Sequence, residues 1–208
     1  KVPNNAFDDA LFVGELSLSG KIRPVNGTLA FAIMAKKMGL KRIFVPYENA
    51  QEASIVPDIA VFPVQTLLDA IERCTHEQPP PIIQDKITDQ RKDLDLQDVR
   101  GQQRCKRALE IAAAGGHNLL MMGSPGCGKT MMALRLPSIL PNPSFEESLE
   151  ITLIHSATGN NKEIGLIQKR PFRAPHHSIS TSGMIGNAQL LPGEASLAHN
   201  GVLFLDEL

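Results

Sequence analysis

The sequence predicts an α/β protein, and two patterns carry the prediction. In residues 1–74, short apolar runs of strand length alternate with segments whose apolar residues recur at helical spacing. In residues 96–208, a glycine-rich turn at 123–130 separates an apolar run from a helical one, and a later apolar run ends in two acidic residues. Strands that alternate with helices are typical of parallel sheets flanked by helices, so we expect that architecture.

Length and composition limit the function classes. The 208 residues suffice for one large or two small domains, and a net charge of −1 excludes a generally basic nucleic-acid binder. Cys74, Cys105 and Cys127 are widely spaced without a C-x-x-C motif, which favours a reducing compartment over a structural zinc site. No apolar run reaches the roughly 18 residues of a membrane span. We therefore expect a cytoplasmic protein that does not contact a membrane.

Residues 1–74 are predicted to be the first domain, with two rounds of strand and helix. The elements are a strand at 12–18, a helix at 28–38 that Thr28 caps and Gly39 ends, a strand at 42–46, an extended run at 59–62 and a helix at 64–74. The last helix has apolar residues at helical spacing, namely Val64, Leu67, Leu68 and Ile71.

Residues 75–95 are predicted to be an interdomain linker, because the prolines at 79–81 and the charged run at 84–95 favour extended, solvated conformations. The alternative is a long surface loop within one domain. The second predicted domain is 96–208. Its elements are helices at 102–114, 129–136 and 145–156, a buried strand at 117–122, and a break at 137–143.

The glycine-rich turn matches the phosphate-binding pattern G-x-x-x-x-G-K-[ST]. Its glycines would let successive backbone N–H groups point at phosphate oxygens, Lys129 would reach the β- and γ-phosphates, and the Thr130 hydroxyl would bind Mg²⁺. The alternative is a turn that binds nothing. We interpret Cys127 as a small tolerated residue and not as a redox switch. The predicted nucleoside triphosphate loop consists of Gly123, Ser124, Pro125, Gly126, Cys127, Gly128, Lys129 and Thr130.

The apolar run at 201–205 precedes Asp206 and Glu207, the arrangement of a Walker B motif in P-loop ATPases. Asp206 would hold Mg²⁺ through its water shell, and Glu207 would polarise the water that attacks the γ-phosphate. Ligands of open α/β sheets bind at the carboxyl ends of strands, where both carboxylates would lie. The two motifs together predict hydrolysis of ATP with Mg²⁺.

The second domain resembles a branch of the AAA+ ATPases, the magnesium-chelatase-related family. Within it, the sequence RPFRAPHH at 170–177 and the two-domain layout look most like the bacterial ComM/YifB group, which is associated with branch migration during natural transformation. The stretches that carry the resemblance are 98–102, 106–118, 123–130, 170–177 and 191–208.

This resemblance implies an ATP-hydrolysing motor in a homo-oligomeric ring, a hexamer, with an arginine finger supplied by the next subunit. It further implies a DNA partner, on which the motor would act as a branch-migration helicase. Val99, Gly101 and Gln102 match the family's adenine-side segment, although simple entry into a helix is the alternative. The segment 183–200 resembles a hairpin insertion that projects into the ring channel of related helicases.

The first domain is similar to the C-terminal part of the Lon protease domain, at residues 14–27, 42–46 and Asn49. In Lon-type peptidases, a lysine in the helix after a Pro-x-x-Gly sequence pairs with an upstream serine. Here Leu29 and Phe31 occupy the candidate positions, and the first lysine of the helix is Lys36. We therefore expect a Lon-like fold without protease activity, used for assembly or nucleic-acid contact.

Several alternatives stay open at the level of sequence. A rival function is a chelatase-type motor that drives metal insertion through a partner protein; residues 96–208 do not separate the two, and the Lon-like domain favours the DNA function. Arg170, Arg173, His176 and His177 would contact DNA or a neighbouring subunit, or else form a rigid exposed loop. Because both ends lie within polar or motif sequence, we expect a truncated ATPase domain that binds nucleotide without appreciable turnover.

Overall fold

The computed structural model describes residues 7–75, 80–81, 94–159 and 165–206. The chain divides into two compact units, one comprising Lys1–Thr88 and His155–Leu166, the other Asp89–Ile154 and Ile167–Leu208. Most of the predicted linker at 75–95 lies outside the described residues, as does Glu207. In the described part of the chain, no helix combines the length and apolarity needed to cross a membrane.

The first unit is built on a parallel sheet of three strands, β1 (Ala10–Phe12), β4 (Arg42–Pro46) and β5 (Ala60–Val64), in that order. Phe44 and Phe62 stack at its centre with ring centroids 5.0 Å apart, and Val64, Ala70 and Cys74 complete the buried cluster. The predicted strand at 42–46 is confirmed. The elements are β1 Ala10–Phe12, β2 Glu15–Leu16, β3 Ile22–Arg23, α1 Thr28–Lys37, β4 Arg42–Pro46, α2 Ala50–Ala53, β5 Ala60–Val64 and α3 Leu67–Thr75.

The predicted strand at 12–18 is wrong in extent, because the chain leaves the sheet after Phe12. Gly14 has a φ of +152°, and a Cβ there would lie 2.5 Å from the Ile22 side chain. This glycine lets the chain turn out of the sheet. The following residues form β2, which pairs antiparallel with β3 as a separate hairpin.

Two details of the predicted helices are also wrong. Thr28 does not cap α1 but is its first residue; Gly27 precedes it with a φ of +75°, and the Glu52 carboxylate accepts the Leu29 N–H at 3.0 Å. A carboxylate from elsewhere in the unit thus satisfies an N–H that the predicted cap would have served. Val64 belongs to β5, so α3 starts later, and Leu67 and Leu68 are 46% and 71% exposed.

The second unit contains five helices and two short strands among the described residues. Leu96, Val99, Leu109 and Met132 form its buried cluster. The predicted helix at 145–156 is confirmed, and the one at 102–114 is confirmed with a shift of one residue. The elements are α4 Gln103–Gly115, α5 Lys129–Ala133, α6 Phe145–Ser156, β6 Phe172–Arg173, α7 Thr181–Ile185, α8 Glu194–Leu197 and β7 Val202–Leu203.

The predicted buried strand at 117–122 is wrong. These residues pair with no strand in the described part of the chain, and Leu120 and Met122 are 73% and 87% exposed. A strand requires a partner for its backbone hydrogen bonds, and apolar composition does not supply one. The helix predicted at 129–136 ends at Ala133, and a 3-10 turn at Leu136–Ile139 follows with Pro137 in its first turn. Only Val202 and Leu203 of the predicted Walker B strand pair, parallel to β6.

Candidate nucleotide-binding site

The loop at 123–128 turns the chain into the N-terminus of α5. Gly126 and Gly128 have φ values of +76° and +91°, a conformation that side chains with a Cβ rarely adopt. A Cβ on Gly128 would also lie 3.3 Å from the end of the Met131 side chain. Both glycines are thus needed for the tight turn that the pattern predicted.

Backbone donors of this loop are left for a ligand. In the described part of the chain, the N–H groups of Gly126, Gly128, Lys129 and Thr130 have no hydrogen-bond acceptor. The Cys127 N–H, by contrast, donates to the Ser124 carbonyl at 3.3 Å. Successive N–H groups at a glycine-rich turn that opens a helix favour an anion such as a phosphate group.

Lys129 brings a positive charge to the same loop. Its Nζ donates to the carbonyl oxygens of Gly123 at 2.9 Å and Ser124 at 3.2 Å, and it lies 3.9 Å from the Cys127 Sγ. The ammonium group is therefore held against the start of the loop. A phosphate bound there would replace the two carbonyls as its partner.

Thr130 and Asp206 come together beside the loop. The Thr130 hydroxyl donates to the Asp206 Oδ2 at 3.2 Å, and both side chains are exposed. One hydroxyl and one carboxylate are oxygen ligands of the kind that Mg²⁺ binds, together with water and phosphate oxygens. The two residues therefore fit Mg²⁺ in the presence of a nucleotide. Glu207, the predicted water-polarising residue, lies outside the described residues.

Of the three predicted adenine-side residues, one contacts the loop directly. The Gln102 Nε2 donates to the Cys127 carbonyl at 2.8 Å. Gly101 is exposed with a φ of +75°, next to Gln102. Val99 is 5% exposed and packs in the cluster with Leu109 and Met132, so its side chain contributes to the core.

The arginines of the 170–177 segment are engaged within the unit. Arg170 donates to the carbonyls of Pro141 at 2.7 Å and Asn200 at 2.8 Å, and to both carboxylate oxygens of Glu147. Arg173 binds Glu194 through two hydrogen bonds of 2.5 and 2.6 Å. Because Arg170 and Arg173 are already paired with carboxylates, the structure favours a rigid loop over a contact between these two side chains and DNA phosphates. These pairs could not be predicted from the sequence, since each arginine and its carboxylate partner are more than twenty residues apart.

His176 and His177 are exposed, with ring centroids 4.0 Å apart, and the His176 Nδ1 forms a hydrogen bond of 2.7 Å with the Ser178 hydroxyl.

Two acidic side chains in this unit have a lowered pKa. The Ser144 N–H and then the Arg170 guanidinium lower the pKa of Glu147. Hydrogen bonds from His199 and then Asn200 lower the pKa of Glu150. The ionised forms of both carboxylates are thus favoured in the folded unit.

The segment 183–200, predicted to be a hairpin insertion, contains the end of α7, a short turn and then α8. Gly186 and Pro192 form an antiparallel bridge, and the Asn187 side chain accepts the N–H groups of Gln189 and Leu191. Leu190 has a φ of +61° and is 91% exposed. The turn thus presents an apolar side chain to solvent.

Comparison with known proteins identifies the family. The family described as magnesium chelatase, subunit ChlI, matches residues 95–208, and the family described as subunit ChlI of Mg-chelatase matches residues 1–49. The chain is 43% identical to the competence protein ComM of Haemophilus influenzae over 95% of its length and 40% of that protein. It is 46% identical to the protein YifB of Salmonella typhimurium over 94% of its length and 39% of that protein.

A weaker similarity links part of the chain to Lon protease of Brucella suis, with 28% identity over 79 residues, which is 36% of this chain and 10% of that protein. The chain spans about 40% of the length of the ComM relative. The family match to residues 95–208 spans the loop at 123–130 and Asp206, and the two longer relatives match over nearly the whole chain. The chain therefore belongs to the magnesium-chelatase-related family, and within it to the ComM/YifB type.

Proposed function

We propose that this chain contains the nucleotide site of an AAA+ ATPase that binds ATP with Mg²⁺ and hydrolyses it. The observation that carries the proposal is the meeting of Thr130 and Asp206 at 3.2 Å beside a loop of unpaired N–H groups. The family to which the chain belongs supports the same activity. ATP hydrolysis needs a phosphate cradle, a countercharge and oxygen ligands for a divalent cation, and all three lie together here.

Each residue has a proposed role. The N–H groups of Gly126, Gly128 and Lys129 would bind β- and γ-phosphate oxygens, and the Lys129 ammonium would neutralise their charge. Thr130 and Asp206 would hold Mg²⁺, which, when bound, offsets the charge that develops on the phosphates. Glu207 would orient the attacking water.

We further propose that the motor acts on DNA, as a branch-migration helicase that remodels recombination intermediates in a hexameric ring in the cytoplasm. The support is the similarity to a protein named for competence, at 43% identity over nearly the whole chain. The exposed Leu190 at the tip of the turn is a feature of the described residues that would suit contact with a substrate or a neighbouring subunit.

The alternative is a chelatase-type motor that works through a partner protein. The family description of subunit ChlI favours it, and that description also covers residues 1–49. Residues 1–49 are thus compatible with a chelatase as well as with a DNA motor, so the first unit alone does not separate the two functions.

Protease activity is not proposed. Leu29 is buried at the N-terminus of α1, Phe31 is partly exposed, and the Lys36 Nζ forms an ion pair of 3.1 Å with Asp58. No lysine at the first turn of this helix is available to take a proton from a serine. We expect the full-length protein to leave casein intact in the presence of ATP; cleavage that depends on ATP would contradict this.

The test is the steady-state ATPase activity of the full-length protein, without DNA and with single-stranded, duplex and four-way-junction DNA. Lys129→Ala is the control for contaminating ATPases. Stimulation by DNA that disappears in the variant is the expected result. If ATP turns over at one rate whatever the DNA, the DNA proposal is wrong and the ATPase proposal stands. If no turnover depends on Lys129, the ATPase proposal itself is wrong.

A further inference from the structure

We infer that Gln102 is a positioning residue for the phosphate loop: its side-chain amide fixes the peptide between Cys127 and Gly128, and so aims the Gly128 N–H at the bound phosphates. The inference rests on the proposed nucleotide site and goes beyond it. It assigns to Gln102 a role toward phosphate, which differs from the contact with adenine that family resemblance implies.

The geometry places the amide of Gln102 on the loop backbone. The Gln102 Nε2 donates to the Cys127 carbonyl at 2.8 Å, across 25 residues of sequence. The same nitrogen lies 3.6 Å from the position that a Cβ on Gly128 would occupy. The side chain therefore approaches the loop at the peptide between Cys127 and Gly128.

Because the peptide is planar, the contact with the Cys127 carbonyl also sets the direction of the Gly128 N–H. In a trans peptide, the C=O of one residue and the N–H of the next point in opposite directions. A hydrogen bond that holds the Cys127 carbonyl toward Gln102 therefore turns the Gly128 N–H away from Gln102. That N–H has no acceptor among the described residues, so it stays available to a ligand.

Gln102 is itself held in place by the fold. It has a φ of +56°, which a residue with a side chain seldom adopts, and it follows Gly101 at +75°. Its carbonyl accepts the Lys106 N–H at 3.0 Å, which ties it to α4. Helix α4 is anchored by Leu109, which is 1% exposed in the core of the unit. The amide of Gln102 thus holds the glycine-rich loop at a fixed position relative to the packed helix α4.

The test compares two ligands, Mg²⁺-ATP and Mg²⁺-tripolyphosphate, by isothermal titration calorimetry on the 208-residue chain. Gln102→Met keeps the length of the side chain and removes the donor, and Gln103→Met is the matched control on the next residue. We expect Gln102→Met to weaken binding of both ligands by the same factor, about tenfold for one lost donor to phosphate. Gln103→Met should bind both as the wild type does.

Three results would overturn the inference. If Gln102→Met weakens ATP but not tripolyphosphate, the amide acts on the base. If it weakens neither, the contact does not matter for binding. Gln102→Ala provides a second variant without the donor; if both variants unfold while Gln103→Met does not, Gln102 serves folding. Failure of the wild type to bind either ligand is a separate outcome, which contradicts the proposed nucleotide site as well.

Discussion

Thr130 donates its hydroxyl hydrogen to the carboxylate of Asp206 at 3.2 Å, although 76 residues separate the two in sequence. Thr130 belongs to the first turn of α5, and Asp206 follows β7. The contact joins the end of a parallel strand pair to the start of the phosphate-loop helix. Thr130 and Asp206 would together hold Mg²⁺ at this position, where the cation would supply positive charge beside the phosphates.

Thr130 and Asp206 should therefore act as one unit in nucleotide binding. We expect Thr130→Ala and Asp206→Asn each to lower the affinity for Mg²⁺-ATP by about tenfold, and the double variant to lose little more than either single one. Thr130→Ser retains the hydroxyl and is the control. Calorimetric titrations with Mg²⁺ and with EDTA would measure the effect, which should vanish in EDTA. Losses that simply add would show that the two residues act separately.

Lys129 should be essential for binding, because its ammonium is held within the loop by the Gly123 and Ser124 carbonyls. Lys129→Ala should reduce ATP affinity by more than about tenfold. Lys129→Arg should not restore it, since a planar guanidinium replaces a point charge inside a tight turn. Lys106→Ala removes the same charge from α4 and serves as the control. Unchanged affinity in Lys129→Ala would place the nucleotide elsewhere.

Features decided by neighbours in sequence were predictable here. The bounds of α6 follow from composition and periodicity over twelve residues. The tight turn at 123–130 follows from eight consecutive residues, because glycines stand at the two positions, Gly126 and Gly128, where φ is positive. Local pattern was sufficient in both cases.

Features decided by tertiary contacts were not predictable. The Gln102 amide and the Cys127 carbonyl meet only because α4 and α5 pack on a common core. The run at 117–122 has the composition of a strand, but strand formation depends on a partner that the run does not encode. The sequence pattern predicts the conformation that each segment prefers, but tertiary packing determines the conformation that it adopts.

Arg170 should stabilise the second unit. Its side chain is 14% exposed, and the guanidinium bridges Glu147 to the carbonyls of Pro141 and Asn200. Arg170→Ala should lower the free energy of unfolding by about 2 kcal/mol, since two carbonyls lose their donor. Arg170→Lys should not restore it, because one ammonium cannot span three partners. Urea unfolding would measure both, with the exposed Arg104→Ala as control. An unchanged midpoint together with weaker DNA binding would restore the phosphate-contact hypothesis.

Cys127 should report nucleotide occupancy. Its Sγ lies 3.9 Å from the Lys129 Nζ within the loop, whereas Cys74 is buried and burial raises its pKa. A raised pKa leaves less reactive thiolate at neutral pH, so iodoacetamide should modify Cys127 faster than Cys74. Mg²⁺-ATP should protect Cys127 and leave Cys105 unaffected, as measured by mass spectrometry of the peptides. Equal labelling of Cys127 with and without nucleotide would argue against phosphate binding at this loop.

Ionisation of Glu147 should contribute to the pH dependence of the free energy of unfolding. The Ser144 N–H and the Arg170 guanidinium lower its pKa in the folded state below the usual 4.5. A carboxyl group with a lowered pKa stabilises the fold fully above its unfolded pKa, and the contribution is lost as pH falls through the folded value. Glu147→Gln should therefore be less stable than the wild type at pH 7, and the difference should shrink below about pH 4.5.

Urea unfolding of this chain at a series of pH values would measure that difference. Glu146→Gln removes the same charge from the neighbouring exposed residue and is the matched control. It should lack the pH-dependent difference, because in the described part of the chain no hydrogen bond or ion pair links the Glu146 carboxylate to another residue. A gap between Glu147→Gln and the wild type that stays constant down to pH 3 would mean that Arg170 and Ser144 bind the protonated carboxyl as well as the ionised one. The contribution of Glu147 to stability would then not depend on the charge of its carboxylate.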